Sequence, residues 1–216
     1  MRVVVPYAPD QPKSRLSPVL DVDERAAFAR AMRDDVLDTI RATGYEPELL
    51  STREVDCDAP VTVDDRSLSA AVNGVLAESV AGAAAGEPTE PVAVVMADLA
   101  LATPKSLNRL FDVDGDVVVA PGRGSGTNAL VVRHPEFRVD YHGASFLDHR
   151  AAAAAVDADF RVVDSHRLAT DVDEPADFVE VLVHDDGHTG AAAWLREHSF
   201  RLERGNGRVN VRRVDG

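Results

Sequence analysis

Val92-Ala93-Val94-Val95-Met96, followed at once by Ala97-Asp98-Leu99, is the stretch that decides the fold. Five consecutive apolar residues, three of them valine, suit a strand buried on both faces rather than one with a wet face. Upstream, Leu68 to Ala84 reads as a helix with Ser67 as its cap, and Gly82 to Pro91 reads as a surface loop. Downstream, Thr103-Pro104 opens another helix, a capping hydroxyl followed by a proline that needs no partner for its nitrogen. Val117 to Ala120 is the next buried strand. Strand, helix, strand in this order predicts a mostly parallel sheet covered on both faces.

The same pattern extends in both directions. Arg2 to Tyr7 is an apolar strand, followed by a polar loop from Ala8 to Leu20 with prolines at 9, 12 and 18. Asp21 or Asp23 caps a helix running to about Thr43, with Phe28, Met32, Val36, Leu37 and Ile40 on its inner face, and Gly44 stops it. A strand follows near Pro47 to Thr52, then an Asp-rich connection. Later come a strand near Ala129 to Val132, a helix from Ser145 to Ala155, a strand near Phe160 to Asp164 and a helix from Glu174 to about His184. From about residue 189 the chain reads as a helix, Ala191 to Glu197, and a hairpin turning at Gly205-Asn206-Gly207. The expectation is one α/β domain over residues 1–216, with a Rossmann-like sheet.

Charge and composition exclude several functions. There are 37 acidic and 23 basic residues, a formal net charge of −14, and the acids are dispersed. A nucleic-acid surface needs basic stripes, so none is expected. Lys13 and Lys105 are the only lysines. Dispersed acid with almost no lysine reads as adaptation to high internal salt, where screening relieves self-repulsion; drift in a GC-rich genome reads the same way. No stretch nears the roughly 18 apolar residues that span a bilayer. The run Met1 to Pro6 is too short for a signal peptide's apolar region, so a cytoplasmic location is expected. The single cysteine, Cys57, can neither pair internally nor hold structural zinc alone.

In an open parallel sheet, ligands sit at the carboxyl ends of strands, and four segments fall there. Pro12-Lys13-Ser14-Arg15-Leu16-Ser17 sets an ammonium and a guanidinium beside the first strand, which suits nucleotide phosphates. Asp98 directly follows the central strand, where a carboxylate can hold Mg²⁺ or simply make a turn. Ala120-Pro121-Gly122-Arg123-Gly124-Ser125-Gly126-Thr127-Asn128 lets backbone amides approach an anion, with the Thr127 hydroxyl beside them. Asp171-Val172-Asp173-Glu174-Pro175 offers two carboxylates to one metal, or Asp173 as a helix cap. The histidines contribute little. His184 and His188 are separated by a turn-like Asp185-Asp186-Gly187, and His134, His149, His166 and His198 read as isolated surface or core residues.

In this order the segments resemble one family, the 2-phospho-L-lactate guanylyltransferases of deazaflavin coenzyme F-420 biosynthesis. The residues that carry the resemblance are Pro12 to Ser17, Glu24-Arg25, Ala97 to Leu99, Ala120 to Leu130, Gly143 to His149 and Asp171 to Pro175. Ala100, His142 and Ser69 depart from the family's usual residues. The resemblance implies a nucleotide-diphospho-sugar transferase (GT-A-like) fold, GTP as substrate and Mg²⁺ as cofactor. It implies that Lys13 and Arg15 meet the GTP phosphates and that Asp98 with Asp171 or Asp173 holds the metal. It also implies that Thr127, Ser145 and a backbone amide near Gly143 bind a small phosphorylated acid, 2-phospholactate or phosphoenolpyruvate. The attacking phosphate oxygen is already anionic, so no general base is required. The sequence leaves a homodimer open. Two other readings remain at this level: a molybdopterin guanylyltransferase-like enzyme, and a non-catalytic nucleotide-binding regulatory domain.

Overall fold

A computed structural model describes the chain except residues 11, 85–89, 186, 188, 205, 206, 208, 215 and 216. The strands are β1 Arg2–Tyr7, β2 Pro47–Ser51, β3 Val61–Val63, β4 Val92–Val95, β5 Val117–Pro121, β6 Thr127–Val132, β7 Phe160–Val162, β8 Phe200–Glu203 and β9 Asn210–Arg213. The helices are α1 Val22–Arg41, α2 Leu68–Ala84, α3 Pro104–Phe111, α4 Ser145–Ala155, α5 His166–Ala169, α6 Phe178–His184 and α7 Gly190–Glu197, with 3-10 turns at Ser14–Leu16 and Pro175–Asp177.

Seven strands form one sheet in the order β3-β2-β1-β4-β6-β5-β7, and β8 pairs with β9 separately. The neighbours from β3 through β4 run parallel, as does the β5–β7 pair. The long apolar strand β4 is central as expected, but β6 is antiparallel to both its neighbours. The turn at residues 122–126 joins β5 to β6 too tightly for a parallel crossover, so the chain must double back.

Alternation along the strands divides the core. Val3 and Val5 face one layer with Ile40, Leu49, Val95 and Leu107. Val4 faces the other with Leu50, Val72, Val94 and Leu130. A third cluster lies off the sheet, where Leu16, Phe28, Met32, Val172, Phe178, Leu195 and Phe200 pack together. The Phe178 ring stands edge-on to both Phe28 and Phe200, with centroids 5.2 Å apart in each pair. This cluster seats α6, α7 and the C-terminal ribbon against α1.

Asp21 caps α1 in a reciprocal box with Glu24, and Thr103 caps α3 in another with Ser106. Three local expectations change. The Asp-rich connection contains β3, and His166–Ala169 is a short helix. The segment from Glu174 begins as a 3-10 turn and becomes α-helical only at Phe178. The hairpin expected at Gly205-Asn206-Gly207 exists as the β8–β9 pair, although Gly205 and Asn206 themselves lie outside the described residues. His188 and much of the Gly82–Pro91 loop also lie outside them.

Candidate active site

Strand order reverses direction at β1. The chain passes from β1 outward to β2 and β3, then returns to lay β4 on the other side of β1. At such a switch point the connections leave on opposite faces and open a crevice at the strand ends. The loop after β1 and the residues after β4 face each other across it. There the Lys13 ammonium donates to Asp98 Oδ2 at 2.6 Å and to Asp173 Oδ1 at 2.7 Å. Burial works against the charge on Lys13, but the two carboxylates outweigh it and raise its pKa. Arg15 Nη1 approaches the other Asp173 oxygen at 3.5 Å with its side chain 68% exposed, so the guanidinium remains available to a ligand.

Local structure accounts for that placement. Lys13 adopts the left-handed conformation, φ 55° and ψ 46°, which costs a non-glycine residue on the order of 1 kcal/mol. The following 3-10 turn drives Leu16 fully into the third core cluster. Leu16 therefore anchors the loop that presents Lys13 and Arg15. Val172, also fully buried in that cluster, anchors the opposite acidic segment between Asp171 and Asp173. Its amide donates to the Asp98 carbonyl at 3.2 Å, tying the segment to the end of β4.

The three aspartates are not equivalent. Asp98 turns one oxygen to Lys13, while its Oδ1 is buried without a hydrogen-bond partner. Asp171 accepts from Asn128 Nδ2 at 3.1 Å. Its pKa is raised, chiefly by burial and further by Asp98 and Asp173, against the opposing Asn128 bond. Asp173 binds Lys13 and does not cap the following helix. Glu174 stands at the N-cap of the 3-10 turn, and Asp177, at the third position, reaches back, its Oδ2 accepting from the amides of Asp173 at 3.0 Å and Glu174 at 2.8 Å.

A second polar group stands beside this one. The Thr127 amide donates to Ser145 Oγ at 3.0 Å, and Thr127 Oγ1 lies 2.8 Å from His149 Nδ1. Thr127, Ser145 and His149 are all buried. Burial lowers the His149 pKa to about 4, so its ring is neutral near pH 7. Gly143 lies two residues before α4 at φ 51°, where a Cβ would meet nothing within 4 Å. Residue 128, next to Thr127, links this group to Asp171.

Sequence reasoning missed the residues that hold the others in place. Asn128 joins Asp171 to the Leu168 carbonyl. Gly122 must be glycine because a Cβ there would collide with the Asn128 side chain. Arg123 donates to Asp177 at 2.7 Å, and its amide bonds the Ala169 carbonyl at 3.0 Å, so the glycine-rich turn grips the acidic segment. His149 braces Thr127. Asn128 and His149 both stand inside motifs singled out above, but nothing local reveals partners some 20 to 40 residues away.

Lys13, Arg15, Asp98 and Asp173 line a cleft of about 400 Å³ that runs over Pro6, Tyr7 and Met96. A second cleft of about 250 Å³ shares Pro6, Tyr7, Ala8 and Met96 and ends at Asp64 and Arg66, between Leu50 and Leu68. One half is charged, the other mainly apolar with a single ion pair at its end.

This sheet, with its switch point at β1, is that of the nucleotide-diphospho-sugar transferase type. Solved structures share the fold. One from Desulfovibrio desulfuricans, assigned as a nucleotide-diphospho-sugar transferase, superposes with TM-score 0.70 at 15% identity over 92% of this chain and 96% of its own. A nucleotidyl transferase from Methanothermobacter gives 0.55 at 14%, over 91% and 99%. The family model described as guanylyl transferase CofC-like matches residues 1–215, and the chain belongs to that family. Relatives named 2-phospho-L-lactate guanylyltransferase occur in Halomicrobium mukohataei, 57% identical over 99% of this chain and 100% of the relative, and in Haloferax volcanii, 57% identical over 98% of each.

Proposed function

We propose that the chain transfers GMP from GTP to 2-phospho-L-lactate and releases pyrophosphate. The observation that carries this reading is the Lys13 ammonium held between Asp98 and Asp173 in the cleft at the switch point. A phosphate oxygen of the acceptor forms a bond to the α-phosphorus of GTP. The bond from that phosphorus to the bridging oxygen breaks, and pyrophosphate leaves with the electron pair. Since the nucleophile arrives as an anion, the protein's part is alignment and charge stabilisation. Lys13 and Arg15 meet the triphosphate. The apolar cleft beyond Tyr7 takes the guanosine end, between Leu50 and Leu68. Thr127, Ser145 and the backbone at Gly143 receive the acceptor beside the start of α4, whose dipole favours an anion.

The donor set fits a hard divalent cation. Asp98, Asp171 and Asp173 supply only oxygens, and one Asp98 oxygen is buried and unpartnered. These carboxylates would hold Mg²⁺, which neutralises phosphate oxygen charge when bound. Lys13, which now bridges Asp98 and Asp173, would turn to a phosphate oxygen of the substrate. GTP as substrate carries a cytoplasmic location with it. The acidic, lysine-poor composition and the relatives' haloarchaeal sources support a working environment of high salt.

The test is pyrophosphate release with a panel of nucleotides and phospho-acids in molar KCl. Release is expected only when GTP, Mg²⁺ and 2-phospholactate are all present. Equal rates with all four nucleoside triphosphates, or release with phosphoenolpyruvate alone, would overturn the assignment.

A further inference from the structure

His166, Glu180 and His184 come together on the surface away from the cleft. Glu180 and His184 lie four apart on α6 and so share one face of the helix. His166 opens α5 and reaches the same point from the other side of the acidic segment. Glu180 Oε2 stands 3.4 Å from His166 Nε2 and 3.3 Å from His184 Nε2. The ligand atoms of the three residues all lie within 4.8 Å of one another. The two imidazole rings are tilted at 58° with centroids 5.0 Å apart.

We propose that these three side chains bind a divalent transition-metal ion of the zinc class. The spacing supports it: tetrahedral bonds of about 2.0–2.1 Å put neighbouring ligand atoms roughly 3.3–3.4 Å apart. Both contacts to Glu180 already have that length, so an ion enters with small rotations of the imidazoles. The chemistry supports it as well. Two imidazoles and one carboxylate favour Zn²⁺, Co²⁺ or Ni²⁺ over Mg²⁺, whereas the three aspartates of the cleft offer oxygen alone. The side chains are 52%, 29% and 40% exposed for His166, Glu180 and His184, which leaves an entry path and an open coordination position.

The site has a structural consequence. His166 and α6 bracket residues 170–177, the segment that carries Asp171, Asp173 and Asp177. An ion held by both ends closes that segment into a loop and removes freedom from its opened states. The bound metal is therefore a clip on the acidic segment, and it stands apart from the transfer chemistry.

The experiment is a Co²⁺ titration of the full chain, free of any histidine tag, with Mg²⁺ at saturating concentration to occupy the aspartates. The expected result is one equivalent of Co²⁺ bound with visible d–d bands, and a melting temperature raised by Zn²⁺. His166→Gln and His184→Gln should each weaken binding at least about tenfold and remove the Zn²⁺ shift. Both should melt like the parent without metal and keep its Mg²⁺-supported turnover. Asp98→Asn should keep the Co²⁺ bands. Binding that survives both histidine substitutions, binding that is lost in Asp98→Asn, or no saturable binding at all would each overturn the site. The last outcome would leave only ion pairs of histidine with glutamate.

Discussion

Asp98 holds the most consequential side chain at the end of β4. It shares the Lys13 ammonium with Asp173. Asp98→Asn should lower kcat/KM by about 100-fold or more, the scale of losing one preorganised charge at a reacting phosphate. It should also cost stability on the order of 1 kcal/mol rather than add any, since a largely covered ion pair loses its charge. Turnover near that of the parent would remove Asp98 from the site. His149 makes a separate prediction. Its folded pKa of about 4 lies below the ordinary 6.5, so at intermediate pH the unfolded chain takes up a proton that the folded one refuses. Stability from this residue is complete above about pH 6.5 and falls as pH drops towards 4, by roughly 3 kcal/mol in all. Melting curves from pH 8 to 4 should show a shallower acid loss in His149→Gln. An unchanged slope would mean that the imidazole is protonated in the folded protein.

Among the elements, the 3-10 turn Ser14–Leu16 shows how packing sets chemistry. Leu16 is fully buried beside Phe28 and Met32, one residue after Arg15. Leu16→Ala should cost about 2–5 kcal/mol through the cavity it leaves and should raise KM for GTP by loosening Lys13 and Arg15. Leu195→Ala, in the same cluster but remote from the loop, should destabilise similarly with KM unchanged. If both variants raise KM alike, the loop does not depend on Leu16 for its position. The acidic segment follows the same logic. Asp177 fixes the amides of Asp173 and Glu174 and holds Arg123, so neither Asp171 nor Asp173 is spent on capping.

For the whole molecule, the dominant feature is a net charge of −14. Many acids are exposed, and several of those near arginines form surface pairs such as Arg53 with Asp10 and Arg161 with Asp159. Such pairs contribute little each, so the unpaired excess governs behaviour. Screening should stabilise the fold as KCl rises from 0.1 to 2 M. Relief of about 2 kcal/mol would appear as a melting temperature higher by roughly 4–8 °C. A flat or falling curve would contradict adaptation to salt. High salt weakens the exposed pairs but barely touches Lys13, whose side chain is only 12% exposed.

Taken alone, the amino-acid order determined whatever depends on a residue and its near neighbours. The β4 run, the Asp21 and Thr103 caps, the glycine stop after α1 and the α/β alternation are local facts, because burial periodicity and capping act within a turn or two. The order of motifs was likewise enough to point to Lys13, Arg15, Asp98, Asp171 and Asp173 as one group. Only the tertiary structure decided which way β6 runs, since an apolar run specifies burial and not direction. It alone gave Asp173 to Lys13 and the N-cap position to Glu174 with Asp177 reaching back, and it alone joined Asn128 to Asp171 and His149 to Thr127. It also brought His166 against Glu180 and His184. Each of these is a choice among partners distant in sequence, and that choice is made by how helices and loops pack on the sheet, which no local pattern encodes.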